Sequence, residues 1–475
     1  MGKGAQIKSK EFRLIPLKLL SNPQFIEEAK KTVQLGMPII AAQLAHVSLG
    51  FIDTVMAGNL SAKDLGAVAI GRSLYMPLFV FVLGVLLAIN PIVAQFRGAR
   101  EFDKIGKTVR QGLWLSQIIA IPGFFLVRHV DVVMNYMNVA PEVIPITEGY
   151  LKAISWSLPP AFAYLVLRFF NEGISLTRPN MYFTTLAIPL NILGNYVFMY
   201  GKLGFPKMGA IGTGWATTLV WWAMLCGMGL LTFFGKNYKP YAIFSHLRLP
   251  QWEYFKEVVR VGLPNGVSIG LEISMFAITA LIVGTLGVTS IAAHQIAINF
   301  ASITFMIPLG LSIATTSRVG FAIGKKDIEE AKLAGKAGLV MSALFMLLTA
   351  IMMLVIPEWI VAIYTDDIPV TALAVQLLFL AAVFQISDGL QVAGAGALRG
   401  LKDTKIPMIV NVIAYWIVGL PCGYYLGIIL GYGAQGLWAG WIAGLAFAAF
   451  SHPLRFFRLI KKEETVSAER IEQGA

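Results

Sequence analysis

Three acidic side chains, Asp53, Glu272 and Asp388, stand inside long apolar stretches of this 475-residue sequence. A carboxylate at bilayer depth is costly, and such residues usually mark ion or substrate pathways. The competing explanation is a carboxylate satisfied by a neighbouring helix. The surrounding residues favour a pathway. Gln43, His46, Gly50 and Asp53 recur at steps of three and four, which puts them on one helix face. Asn265, Ser268, Glu272, Met275 and Thr279 do the same, and Gln385 lies one turn before Asp388. Asn191 and Asn195 are four apart, and Gln295, Asn299 and Ser302 form a further stripe. For the last stripe, interhelical hydrogen bonding is a sufficient explanation. Beside a carboxylate, such oxygens complete a shell for a hard cation. His46 and His294 are lone membrane histidines, more often hydrogen-bonding partners than proton relays. His46 lies two turns before Asp53 on the same face and is kept as a secondary site.

These residues need membrane helices to hold them. Apolar residues make up 57% of the chain and charged residues 13%, about half the charge of an average soluble domain. Hydropathy predicts an all-α membrane protein with twelve spans, at 33–57, 68–96, 110–128, 146–170, 180–200, 209–235, 259–284, 290–322, 336–357, 371–396, 406–430 and 435–460. Pro38 and Pro264 lie near the starts of the first and seventh spans, and Pro77, Pro91, Pro189 and Pro308 lie within others. Such prolines bend membrane helices and free backbone carbonyls. Lys and Arg concentrate in the N-terminal segment, in the connections after spans 2, 6, 8 and 10, and in the C-terminal segment. None falls in 285–289, 358–370 or 431–434. Both termini are therefore expected in the cytoplasm. The first 32 residues are basic and polar, unlike a cleaved signal peptide.

The chain also repeats itself at an offset of 226. Lys30, Val33, Gly36 and Pro38 fall on Lys256, Val259, Gly262 and Pro264; Gly84, Gly98 and Gly112 fall on Gly310, Gly324 and Gly338. Each half starts and ends on the same side, so the two six-helix repeats are parallel, as in transporters that rock around a shared site. The organisation read from this is a cytoplasmic segment 1–32, an N-lobe 33–235, a cytoplasmic linker 236–258, a C-lobe 259–460 and a cytoplasmic tail 461–475. At the ungapped offset Glu272 falls opposite His46 and Asp53 opposite Thr279, so the halves share a scaffold and not a site.

Other classes are disfavoured. The net charge of +12 sits in short loops without a basic, aromatic-interleaved groove, which argues against nucleic acid. No phosphate loop, G-x-S-x-G or H-E-x-x-H motif points to an enzyme, and no T-V-G-Y-G filter to a channel. Cys226 and Cys422 lie in apolar runs, where buried free thiols are expected.

The run Gly50-Phe51-Ile52-Asp53-Thr54-Val55-Met56-Ala57-Gly58 resembles the multidrug and toxic compound extrusion (MATE) family, in its bacterial NorM-like branch. So do Pro91-Ile92-Val93-Ala94-Gln95 with Gly98-Ala99, Ala292-Ala293-His294-Gln295, Asn299-Phe300, Arg318-Val319-Gly320 and Ala397-Leu398-Arg399-Gly400. The resemblance spans about residues 30–455. It implies efflux of bulky, often cationic drugs across the inner membrane, driven by inward Na+ or H+, with Na+ favoured and no cofactor. It also implies that Asp53 is the key N-lobe carboxylate, that Glu272 and Asp388 form a C-lobe cation site, and that Asn191 and Asn195 are polar N-lobe positions. Gln43, His46, Gln295 and Asn299 are carried as secondary polar candidates. One position departs: His46 stands where the family often carries Gln seven residues before the span-1 Asp. A titratable ring there leaves the ion open between Na+ and H+. The expected partners are small cationic or amphipathic molecules and membrane lipid, with a monomeric chain. The alternatives are a lipid or glycan-precursor flippase, which can share this repeat architecture, and a Na+-coupled importer, because transport direction is set by thermodynamics. A flippase calls for a large, charged lateral cavity, whereas the cavity-facing charges identifiable in the sequence are sparse and acidic.

Overall fold

In the computed structural model, residues 22–129, 134, 140–245 and 249–473 are described. The basic segment 1–21, Arg248 in the linker and the last two residues of the tail lie outside the described residues. The N-terminal half contains α1 (Pro23–Gly58), α2 (Ala62–Leu86), α3 (Ile89–Gly98), α4 (Phe102–Arg128), α5 (Ile144–Ser155), α6 (Leu158–Gly173), α7 (Arg178–Gly194) and α8 (Ala210–Phe234). The C-terminal half contains α9 (Trp252–Gly284), α10 (Val288–Gly324), α11 (Ile328–Val355), the short α12 (Pro357–Ala362), α13 (Ile368–Gly400), α14 (Lys405–Val412), α15 (Leu420–Tyr424) and α16 (Gly433–Gln473). Nine spans among the described residues are long and apolar enough to cross a membrane, and the bent pair α5–α6 makes a tenth. With α4 and α7 they give the twelve-helix, two-repeat fold.

The breaks have local causes. Proline lacks an N–H and its ring crowds the carbonyl four residues back. Pro91 does this to Leu87, where α2 gives way to α3. Pro159 does it to Ser155, the last residue of α5, and the chain bends there by 45°. α7 carries Pro189 and passes into a π-helical turn over Asn195–Met199. Single π turns of this kind cluster at functional sites. The eleventh span alternates in the same way, with π turns over Ile413–Gly419 and Tyr425–Ile429.

Helix ends differ from the hydropathy bounds. α1 begins at Pro23 and not at 33, α9 begins inside the linker at Trp252, and the tail continues α16 to Gln473. A hydropathy window reports where the solvent changes; the backbone ladder runs on through polar residues such as Glu27, Glu28, Lys30 and Lys31. The two cysteines are free, but burial is corrected: Cys226 is exposed and Cys422 half-buried, on helix faces that an apolar span can turn to lipid.

The apolar core forms two large clusters, one from residues between Ala57 and Val261 and one from residues between Met275 and Ala448. The halves meet along a seam whose contacts are reciprocal at the repeat offset. A Cβ on Gly98 would lie 2.0 Å from the carbonyl oxygen of Phe321, and one on Gly324 would lie 1.9 Å from that of Gln95. Gly84 abuts the backbone of Gly266 as Gly310 abuts Ile40, and Gly36 packs on Leu311 as Gly262 packs on Val85. Every pair maps onto its partner by adding and subtracting 226. That is the signature of a two-fold relation between the halves, and only a missing Cβ lets the backbones come this close. Polar links reinforce the seam: Asn265 Nδ2 donates to the Gly84 carbonyl (2.7 Å), Ser317 Oγ to Asn90 Oδ1 (3.0 Å) and Gln95 Nε2 to the Gly400 carbonyl (2.8 Å). Arg318 forks onto both oxygens of Glu28 at 2.6 and 2.7 Å. All these contacts lie toward one end of the bundle. At the other end Phe51, Leu281 and Val288 are exposed.

Candidate functional site

Above this seal, both halves line one cavity of about 520 Å³. α1 contributes Gln43, His46, Gly50 and Asp53; α9 contributes Asn265, Ser268 and Glu272; both stripes read from the sequence face the same space. Aromatic rings make up much of the N-terminal wall. Trp221 packs against His46 (5.9 Å between centroids, nearly parallel), Phe79 (5.6 Å) and Tyr164 (5.8 Å), and Tyr75 stacks on Phe79. Such faces accept planar and cationic groups.

Asp53 is held by α7 and α8. Asn195 Nδ2 and Asn191 Nδ2 both donate to Oδ1, at 2.7 and 3.1 Å, and Thr217 Oγ1 reaches Oδ2 at 3.4 Å. Asn195 opens the π turn of α7, and its Nδ2 also lies 3.3 Å from Asn191 Oδ1. Asn191 reaches the cavity wall; Asn195 sits behind it.

The C-terminal acids lie deeper. Glu272 lines the cavity, while Asp388 is buried behind it, and the two act on each other electrostatically. Several buried oxygens in this half have no hydrogen-bond donor among the described residues: Asp388 Oδ1, Gln385 Oε1, Gln391 Oε1 and Asn411 Oδ1. Gln391 donates to the Tyr415 hydroxyl (2.9 Å) and Asn411 to Ser268 Oγ (2.6 Å), which leaves their carbonyl oxygens free to accept. Oxygen acceptors of this kind, together with a carboxylate, suit a hard monovalent cation or a proton-bearing group. His294 accepts from the Trp438 indole at 3.1 Å and is a hydrogen-bonding partner, as expected of a lone membrane histidine.

Two candidates fall elsewhere. Gln295 and Asn299 lie on the exposed face of α10, because Ala293, Ile296, Ala297 and Ala301 turn inward on that helix. Asn299 accepts a hydrogen bond from the Tyr364 hydroxyl (3.0 Å), and neither residue lines the cavity.

The expectation of sparse, acidic cavity charges is corrected. Arg72, Arg168 and Arg399 also line the cavity. Arg168 Nε donates to the fully buried Glu172 (2.9 Å), and its Nη2 to Gln43 Oε1 (2.8 Å). Arg399, grouped with the loop arginines by charge pattern, belongs to α13 and is 8% exposed; its Nη2 donates to Ser312 Oγ (2.8 Å) and its charge faces Glu272. A signal for the Arg168–Glu172 pair was present: an Arg inside the run Leu165–Phe170 with a Glu four residues on.

Two parallel six-helix lobes that enclose a shared, largely apolar cavity carrying a few charged groups, sealed at one end, define a membrane transporter. The comparisons agree. The MatE family model matches residues 38–197 and 264–425, one stretch in each lobe. The chain is 41% identical to the multidrug resistance protein NorM of Photobacterium profundum over 432 residues, covering 90% of this chain and 95% of that one. It is 39% identical to the multidrug resistance protein MdtK of Photorhabdus laumondii over 431 residues, covering 90% and 94%. The fold matches the crystal structure of a eukaryotic MATE transporter with TM-score 0.85 at 21% identity, covering 94% of this chain and all of that one. A MOP superfamily transporter from Pyrococcus furiosus matches with TM-score 0.83 at 19% identity, covering 96% and 100%. This chain belongs to the MATE family, in its NorM-like branch. It is a multi-pass membrane transporter and not an enzyme.

Proposed function

We propose that this protein is a cation-coupled antiporter of the inner membrane that exports bulky, often cationic organic compounds by alternating access. The observation that carries this reading is the single cavity lined by Asp53 from one lobe and Glu272 from the other. Both termini are assigned to the cytoplasm by the Lys and Arg pattern. The seal then lies on the cytoplasmic side, and the structure corresponds to an outward-facing state.

In this reading Glu272 and Asp388, with the unpaired oxygens of Gln385, Gln391 and Asn411, hold the coupling ion. Asp53, oriented by Asn191 and Asn195, serves the substrate side, with His46 and Gln43 as neighbours. A limited set of buried acids cannot neutralise an inward cation and an outward cationic compound together. Binding one weakens the other, and this reciprocity couples the two fluxes. Na+ is favoured, and H+ can play the same part by binding a carboxylate. The natural compounds are small amphipathic molecules, and the working unit is a monomer in lipid.

The test is uptake of a fluorescent cation into proteoliposomes under an imposed Na+ or H+ gradient. The expected result is Na+-driven transport that Glu272→Gln or Asp388→Asn abolishes while the protein still inserts. Undiminished gradient-driven uptake in either variant would overturn the assignment of the ion site.

A further inference from the structure

Arg72 is a cavity charge that the transport scheme leaves unused. It projects from α2 and lays its guanidinium across the bare face of Gly50: a Cβ there would lie 2.3 Å from Nη1 and 2.4 Å from Nη2. Gly50 is one turn before Asp53 on the same face of α1, and the Arg72 charge acts on that carboxylate. Other arginines of the bundle are committed: the buried Arg168 to Glu172, and the half-buried Arg318 to Glu28 and Glu330. Among the described residues Arg72 has no hydrogen-bond or ion-pair partner, although it lines the cavity. Asp53 already accepts from two asparagines.

This arrangement has a chemical consequence. A guanidinium is always charged and offers a planar fork of donors that matches a carboxylate in two-point contact. Placed beside Asp53, it offsets the charge that would otherwise attract a cation to this part of the cavity. A purely cationic ligand is attracted less strongly there than by Asp53 alone, whereas a ligand with a carboxylate as well as an amine finds a partner for each. We propose that Arg72 is a specificity-determining residue: a tethered cation that pairs with the carboxylate of zwitterionic aromatic amphipaths and discriminates against their esterified, purely cationic counterparts. The proposal rests on the cavity being the substrate site.

The experiment uses the full chain in lipid nanodiscs and two matched xanthene dyes, a free acid and its methyl ester, with binding read by fluorescence anisotropy. The quantity measured is the ratio of the two Kd values. Arg72→Gln is expected to shift that ratio about tenfold toward the ester, the size of one lost charge-assisted contact. Gly50→Ala, which keeps the charge but displaces the guanidinium, should shift it in the same direction, and Arg72→Lys should retain part of the preference. A ratio unmoved by both Arg72→Gln and Gly50→Ala overturns the proposal. Met306→Trp, which fills the cavity from the opposite lobe, separates the two levels of failure. If it weakens both dyes while Arg72→Gln leaves their ratio unchanged, the role of Arg72 fails and the cavity stands. If Met306→Trp affects neither dye, the cavity is not the binding site and both readings fall.

Discussion

A carboxylate in an apolar bundle needs donors, and the pattern of those donors separates the acids of this chain. Both Glu172 and Asp388 keep one buried oxygen with no donor, but Glu172 is ion-paired to Arg168 through its other oxygen, whereas Asp388 has no ion-pair partner among the described residues. The first arrangement holds structure together; the second has capacity left for a ligand. Removing one member of a buried ion pair strands the other at a cost of about 3–5 kcal/mol, whereas replacing both by apolar residues is often neutral. Arg168→Met should therefore lower the unfolding temperature sharply in detergent, and Arg168→Met with Glu172→Met should recover most of it. Equal loss in the single and double variants would show that the pair does not carry this load. The stripes on α1 and α9 were legible in the sequence because helical spacing alone places Gln43 to Asp53, and Asn265 to Glu272, on common faces. The arginines were not. Arg72 reads as a single polar residue in an apolar run, and Arg168 shows only its Glu four residues on; the approach of Arg72 to Gly50 and the hydrogen bond from Arg168 to Gln43 show what they face on α1.

Helices here are defined by their interruptions and their ends. Pro91 and Pro159 were visible as residues, but whether a proline breaks, bends or merely sits in a helix depends on what replaces the lost hydrogen bond. Pro38 and Pro264 lie within continuous helices, while Pro91 and Pro159 accompany breaks. The π turn at Asn195 left no mark on hydropathy, yet it begins at the residue with the shortest donor contact to Asp53. At the polar ends, capping applies. Asp327 starts α11 by accepting from the Glu330 N–H at 2.9 Å. That N–H donor holds its carboxyl below the ordinary aspartate range, with Lys325 helping. A carboxyl lowered in the folded state stabilises the helix at neutral pH, and the contribution is lost as pH falls through its lowered value. Asp327→Ala should cost about 1 kcal/mol. Chemical denaturation at neutral and acidic pH should show the gap between variant and parent closing in acid; a gap independent of pH would contradict the cap.

At the scale of the whole molecule, the seam between the lobes sets the conformation. It combines reciprocal glycine contacts with the Glu28–Arg318 fork, which also reaches Glu330 at 2.9 Å. The fork ties α1 directly to α10, so it belongs only to the state in which this end is closed. Glu28→Gln weakens charge-assisted hydrogen bonds by about 2 kcal/mol, which shifts a two-state equilibrium by more than tenfold. Single cysteines placed at Ala94 or Gly320, buried in the seam, should then react faster with a thiol reagent in the Glu28→Gln background. Unchanged labelling rates would mean that the glycine contacts alone keep the end shut.

The sequence by itself determined the membrane class, the twelve helices and the parallel repeat, because hydropathy, loop charge and an offset of 226 are properties of the order of residues. It also placed Asp53, Glu272 and Asp388 as the acids to watch. Tertiary structure decided which of those groups share a space. It turned Gln295 and Asn299 away from the cavity and gave Glu172 its counter-ion. It also brought Arg399 in from the apparent loop and laid Arg72 across Gly50 beside Asp53. The physical reason is that charge balance in a cavity depends on distances between helices, and helical periodicity specifies only the face within each one.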